Sequence, residues 1–205
     1  LLAAGLAAGS DGRRAVDAEA KRLLRAGCLP VSGLGEMAAA QLAEPVMRML
    51  DYHHQLAVDW PDTVPPREIR LTFPGETPVE SGPMPPEYTL EDWIGGLRRA
   101  DAGGRERYAR WEFYCGPLMD FRGQFCRLSA LASTWVKHLA ARVQGVSLTS
   151  YLLAPDGGVQ LDSPAQNLAE TWMTDVLSLW KSGLIRPLPV SAGTALAYLT
   201  VLLSD

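Results

Sequence analysis

The stretch from Tyr88 to Cys115 concentrates residues that can do chemistry. It holds five carboxylates, Glu91, Asp92, Asp101, Glu106 and Glu112, and five arginines, Arg98, Arg99, Arg105, Arg107 and Arg110. Carboxylates on neighbouring strands can hold Mg²⁺, whose charge activates water and offsets charge developing on a phosphodiester. Arginine forks bind phosphate oxygens in pairs, and the interleaved Tyr108, Trp111 and Tyr114 can stack on exposed bases. Asp101 and Glu106 dilute the basic patch.

A metal-dependent nuclease of the restriction-endonuclease-like class needs an aspartate that ends one strand. On the adjacent strand it needs a carboxylate followed two residues later by lysine, which positions water and balances charge. Here the second strand reads Glu112-Phe113-Tyr114, so Tyr114 stands in the place of lysine. No lysine occurs between Lys21 and Lys137. Asp92 is the candidate first-strand carboxylate, but it comes too early to end its strand. Half of a nuclease site is therefore written and half is missing, and Glu112 also reads as an ordinary carboxylate on a half-exposed strand.

Other chemistries find no motif. There is no GxSxG, no GxGxxG, no GxxxxGK[ST] and no HExxH, and Gly95-Gly96 and Gly103-Gly104 fit no phosphate-cradle spacing. Cys28, Cys115 and Cys126 are odd in number and lack CxxC or Cys/His spacing, which argues against disulfides and zinc and for a reducing cytoplasm. His53 and His54 are adjacent and do not share a helix face, so they read as rim residues. The reading implies no cofactor.

The elements that position these groups follow from periodicity. Residues 107–115 alternate, with Ala109, Trp111, Phe113 and Cys115 on one face and Tyr108, Arg110, Glu112 and Tyr114 on the other. With a strand at 88–98 they predict a hairpin across a Gly/Arg turn, and a short strand over 68–73 is expected in the same sheet. Helices are predicted over 1–9, 11–27, 36–59, 124–143, 163–183 and 192–203. Gly27 is the expected C-terminal stop of the second helix, and Pro45 predicts a kink or restart in the third. Arg13, Arg14, Lys21, Arg22 and Arg25 form a solvated helix face. Leu128, Leu131, Trp135 and Leu139 form one clear stripe, with Trp135 in the core and His138 at its rim. A later helix carries Leu168, Trp172, Val176, Leu179 and Trp180, stops at Gly183 and is followed by a run over 184–190 that its prolines keep extended. Ser163-Pro164 with Gln166 predicts a helix start. Pro155-Asp156-Gly157-Gly158 predicts a turn between strands at 146–153 and 159–161.

At 205 residues, 47% hydrophobic and 20% charged, the chain has the make-up of a globular domain. Its net charge of −4 excludes a global cationic field for nucleic acid, though not a local patch. No apolar run is long enough to span a membrane. The opening LLAAGLAAG lacks a basic flank and an initiator Met, and reads as a helix within a fragment of a longer protein. The elements predict an α/β fold, a central mixed sheet flanked by helices. Residues 1–60 are expected as an N-terminal helical segment packing on an α/β core of residues 61–205. The two together make one compact domain, because the Pro-rich 60–87 stretch carries a strand that can join the core sheet.

Four stretches resemble the C-terminal part of exodeoxyribonuclease V gamma subunits, the RecC family. They are EAKRLLRAGCLPVSGLGE at 19–36, LEDWIGGLRR at 90–99, RLSALASTWVKHLAA at 127–141 and LSLWKSGLIRPLPVSAGTALAYL at 177–199. Their order and spacing agree over about residues 13–200. The resemblance implies a restriction-endonuclease-like, degenerate nuclease domain of a RecBCD-type helicase–nuclease, without catalytic residues. It implies DNA ends and the beta and alpha subunits of exodeoxyribonuclease V as partners, in recombinational repair of double-strand breaks. It also implies a strand-separating pin, for which the compact turn at 100–107 leaves little chain. Two alternatives stand beside it: a residually active Mg²⁺ nuclease using Asp92, Glu112 and Asp101, and a pure protein-interaction module. On the first reading, Arg98, Arg99, Arg105, Arg107 and Arg110 are the expected DNA contacts, and Asp92, Glu112 and Tyr114 are the degenerate nuclease positions.

Overall fold

The computed structural model describes residues 1–73, 88–101, 103–104, 106–119, 126–187 and 191–202. Three helices come first: α1 (Leu2–Ala7), α2 (Gly12–Arg25) and α3 (Gly33–Asp59). They close on their own apolar cluster of Val16, Ala43 and Leu50, edged by Leu1, Leu2, Leu6, Val46 and Met47. Gly27, at φ 72°, takes the left-handed conformation that ends α2. The first turn of α3 lies so close to the preceding loop that a Cβ on Gly35 would meet the Pro30 carbonyl oxygen at 1.9 Å. The expected restart at Pro45 does not occur, and α3 continues through it. The carbonyl that loses its partner there belongs to Gln41, on the exposed side of the helix.

Seven strands follow among the described residues. β1 (Asp62–Thr63), β4 (Arg98–Asp101), β5 (Glu106–Phe113), β6 (Leu148–Ala154) and β7 (Gly157–Leu161) form a five-stranded mixed sheet in the order β1-β4-β5-β6-β7. β4 and β5 are an antiparallel hairpin, with Asp101 opposite Glu106. β5 and β6 run parallel, joined through α4 (Leu128–Val143), and β6 turns back antiparallel into β7. Parallel neighbours need such a crossover, which places β5 at the centre of the sheet and α4 on one face.

The strand over 88–98 is a correction. The chain breaks at Gly95-Gly96, where Gly96 adopts φ 70°. Its first part, β3 (Tyr88–Ile94), pairs antiparallel with β2 (Arg67–Phe73) in a separate two-stranded sheet. The 68–73 strand therefore does not join the sheet of the β4–β5 hairpin.

The main core lies where this ribbon, α4 and α5 (Gln166–Ile185) meet the edge of the larger sheet. Ile69, Leu71, Ile94, Leu97, Leu139, Ala140, Leu148, Ala169 and Met173 are buried together there. Each of the Ile, Leu and Met side chains among them contributes roughly 1.5–3 kcal/mol on burial. On α5 the buried residues are Ala169 and Met173, Val176 is half-buried, and Leu168, Trp172, Leu179 and Trp180 are exposed. The start of α5 also differs. Its N-cap is Ala165 without a side-chain cap, and Ser163 Oγ is buried without a partner. Gly183 does not stop the helix, which runs on to Ile185. α6 (Ala192–Leu202) completes the described chain. Of the helix start expected at 124–127, residues 124–125 lie outside the described residues, and α4 begins only at Leu128. The extended run expected over 184–190 is corrected at its start, where Leu184 and Ile185 belong to α5, and its residues 188–190 lie outside the described residues.

The helical segment meets the sheet through α3. Arg48 Nε donates to the Pro155 carbonyl at 2.9 Å, and Trp111 Nε1 donates to His53 Nδ1 at 2.9 Å. The sheet is thus flanked by helices on both faces, α3 on the Trp111 side and α4 on the other.

Candidate functional site

Glu112 stands at the penultimate position of the central strand, and alternation turns it toward α4. Thr134 Oγ1 donates to its Oε2 at 2.6 Å. Its Oε1 receives Lys137 Nζ at 2.5 Å and Arg110 Nη2 at 2.9 Å. Burial by itself raises the carboxyl pKa, but hydrogen bonds from Lys137 and Thr134 and the charges of Arg110 and Lys137 more than offset it, holding Glu112 at about 2. The lysine absent from the strand is supplied by the crossover helix. It meets the carboxylate directly, and both oxygens are engaged by protein donors.

Asp92 is not brought to this site. It lies on β3 in the other sheet, is exposed, and accepts the following backbone N–H of Trp93 at 2.7 Å. Asp101 accepts the Gly104 N–H at 2.8 Å and shapes the hairpin turn. Glu91 pairs with Arg70 at 3.1 Å. Tyr114 lies just past β5, where its N–H donates to the Leu153 carbonyl at 2.8 Å. Its ring packs against the cluster of Leu118, Leu152 and Ala154. Among the described residues no three His, Cys, Asp or Glu groups come together as metal ligands. The three cysteines are free.

The hairpin register divides the arginines between two faces. Arg98 is opposite Ala109 and Arg107 opposite Ala100, which puts both on the Trp111 face. Arg98 Cζ lies 5.4 Å from the Trp111 ring centroid, and Arg107 Cζ lies 5.2 Å from that of Trp60. On the opposite face Arg99 is tied to Asp62 at 3.3 Å and Glu106 at 3.1 Å. Arg110, on that face too, is 8% exposed, with Nε and Nη1 lacking partners. Burial takes Arg110 out of the expected phosphate contacts, and ion pairing makes Arg99 a poor one. Arg105 lies outside the described residues.

A family model described as the RecC C-terminal domain matches residues 1–202. The chain belongs to the RecC C-terminal domain family. No curated protein and no solved structure matches it significantly. Membership in the RecC family links the chain to the RecBCD complex, exodeoxyribonuclease V, and in general terms to DNA repair and recombination. Among the described residues of this RecC domain, no helix is long and apolar enough to cross a membrane.

Sequence reasoning missed two partners in this RecC domain. Lys137 and Thr134 reach Glu112 from α4, and their three-residue spacing on one helix face was the available signal. His53 is half-buried against Trp111, with ring centroids 5.5 Å apart, instead of lying free at a rim. Burial pushes its pKa down, helped by His54 and Arg98. His138 is likewise buried, 2% exposed, instead of at the rim of its stripe.

Proposed function

We propose that this domain is a degenerate, restriction-endonuclease-like module without catalytic activity of its own. It scaffolds a RecBCD-type helicase–nuclease in the cytoplasm, against the beta and alpha subunits, and guides DNA strands during recombinational repair of double-strand breaks. The observation that carries this reading is the state of Glu112. It sits on the central strand beside the parallel crossover, where open α/β sheets place their sites. Yet Lys137, Arg110 and Thr134 occupy its oxygens as an internal charge cluster, and Asp92 belongs to another sheet. Two cations against one carboxylate supply the neutralisation that a metal ion would otherwise provide.

DNA contact on this reading is electrostatic and directed at the backbone. Arg98 and Arg107 are its carriers. They share one face of the hairpin, each lies over an indole ring, and neither forms an ion pair among the described residues.

The test is incubation of the purified chain with linear DNA and Mg²⁺. No cleavage is expected. Cleavage that Glu112→Gln abolishes would establish the residual nuclease and sink the proposal. Binding of forked DNA against salt separates the remaining alternative, since a pure interaction module shows no affinity that depends on Arg98 and Arg107.

A further inference from the structure

A cavity of about 250 Å³ opens between α4, β7 and α5. Trp135 and Trp172 form its aromatic wall, with ring centroids 6.1 Å apart and planes inclined at 45°. Gln160 and Asp162 line it as well. Gln160 Nε2 donates to Asp162 Oδ1 at 2.7 Å, which orients both groups. The Gln160 amide oxygen and the second Asp162 oxygen remain as acceptors.

The basic groups beside the cavity are engaged elsewhere. His138 Nε2 lies 3.1 Å from the Asp162 carbonyl, which can only accept, so Nε2 carries the proton. Nδ1 then accepts from Ser150 Oγ at 2.9 Å. Arg142 Nε donates to the Pro164 carbonyl at 2.8 Å. Asp162 itself forms no ion pair among the described residues.

Two indoles, an unpaired carboxylate and an amide oxygen favour a cation and repel phosphate. The volume is small for a whole ligand but sufficient for one side chain. A planar guanidinium fits best, because it stacks on indole and offers parallel donors to two acceptors. The surface continues along α5, where Leu168, Trp172 and Leu179 are exposed and Asp175 follows Trp172 by three residues on the same helix face. Tryptophan paired with arginine is the usual make-up of an interface anchor.

We propose that this cavity and the adjoining face of α5 seat an otherwise apolar segment of a partner protein, with one of its arginines in the cavity. This rests on the scaffolding part of the function proposed above and names the surface that performs it.

The test uses the chain in its assembled complex. A photo-crosslinking amino acid is placed at Leu168, beside the cavity, and cross-linked peptides are mapped by mass spectrometry. A peptide of a partner protein carrying arginine is expected. In parallel, Asp162→Asn and Trp172→Ala are each expected to weaken partner binding about tenfold with the thermal melt unchanged, and Trp172→Phe to retain most of it. Cross-links to DNA alone, or a folded Asp162→Asn chain that binds its partner as the unsubstituted chain does, overturn the inference. A chain that enters no complex at all overturns the scaffolding reading as well. Normal assembly with indifferent variants overturns only the assignment of this surface.

Discussion

Lys137 Nζ on α4 lies 2.5 Å from Oε1 of Glu112 on β5, so a crossover helix completes the charge balance of the central strand. The same oxygen accepts from Arg110, which is 8% exposed. The three groups are therefore unequal. Glu112→Gln leaves a buried guanidinium without its anion and is expected to cost about 3 kcal/mol. Lys137→Met removes a half-exposed cation while Arg110 and Thr134 still hold the carboxylate, and is expected to cost about 1 kcal/mol. Urea unfolding of both single variants and the double variant measures the two costs and their coupling. Equal costs would mean that Arg110 does not depend on Glu112.

Acid should destabilise the domain in two stages. Burial lowers the pKa of His138 from 6.5, with the neighbouring Arg110 charge acting in the same direction and the Asp162 carbonyl opposing it. The unfolded chain then binds that proton more readily, so stability present above about pH 6.5 falls as the pH drops below it. His53, also lowered, acts in the same window. Glu112 is held at about 2 against an ordinary value of 4.5. Its contribution is complete above pH 4.5 and is lost as pH falls through about 2, amounting to on the order of 2 kcal/mol after allowance for solvent screening. Unfolding free energies measured between pH 8 and pH 2 check this, and Glu112→Gln should remove only the lower stage.

The two faces of the β4–β5 hairpin should separate in DNA binding. Arg98→Ala and Arg107→Ala are each expected to lower affinity for forked DNA and to reduce the salt slope by about one. Arg99→Ala is expected to leave that slope unchanged, because Asp62 and Glu106 already neutralise its guanidinium. Equal effects from all three substitutions would contradict the division by register. Affinity measured at several salt concentrations gives the slopes directly.

What the sequence made legible was local. The Pro155-Asp156-Gly157-Gly158 turn lies where its residue types put it, and so do the Gly27 stop, β6 and β7. The family was legible because several short stretches keep their order. Pairing was not, since nothing in the alternation of 88–98 says whether 67–73 or 106–113 is its neighbour, and Gly96 decides it by turning the chain. The apolar stripe of α5 marks an amphipathic face but not whether that face meets the core or a partner. Half of the candidate site was readable, Glu112 on a central strand. The other half comes from Lys137, 25 residues away, and no strand motif could announce it.

His53 and Trp111 join elements 58 residues apart, and the direction of their bond fixes a protonation state. Trp111 Nε1 can only donate, so His53 Nδ1 must be the acceptor and the ring is neutral with its proton on Nε2. Protonating Nδ1 would break the bond beside Arg98, whose guanidinium lies over the same indole. Trp111→Phe keeps an apolar ring but removes the donor, which withdraws a bond that favours the neutral form. The His53 pKa is then expected to rise toward its ordinary value, and stability to fall by about 1 kcal/mol. NMR titration of the histidine ring protons reads the first effect and urea unfolding the second. If the His53 titration is the same in Trp111→Phe, the hydrogen bond does not hold the ring, and α3 is anchored to the sheet by Arg48 and packing instead.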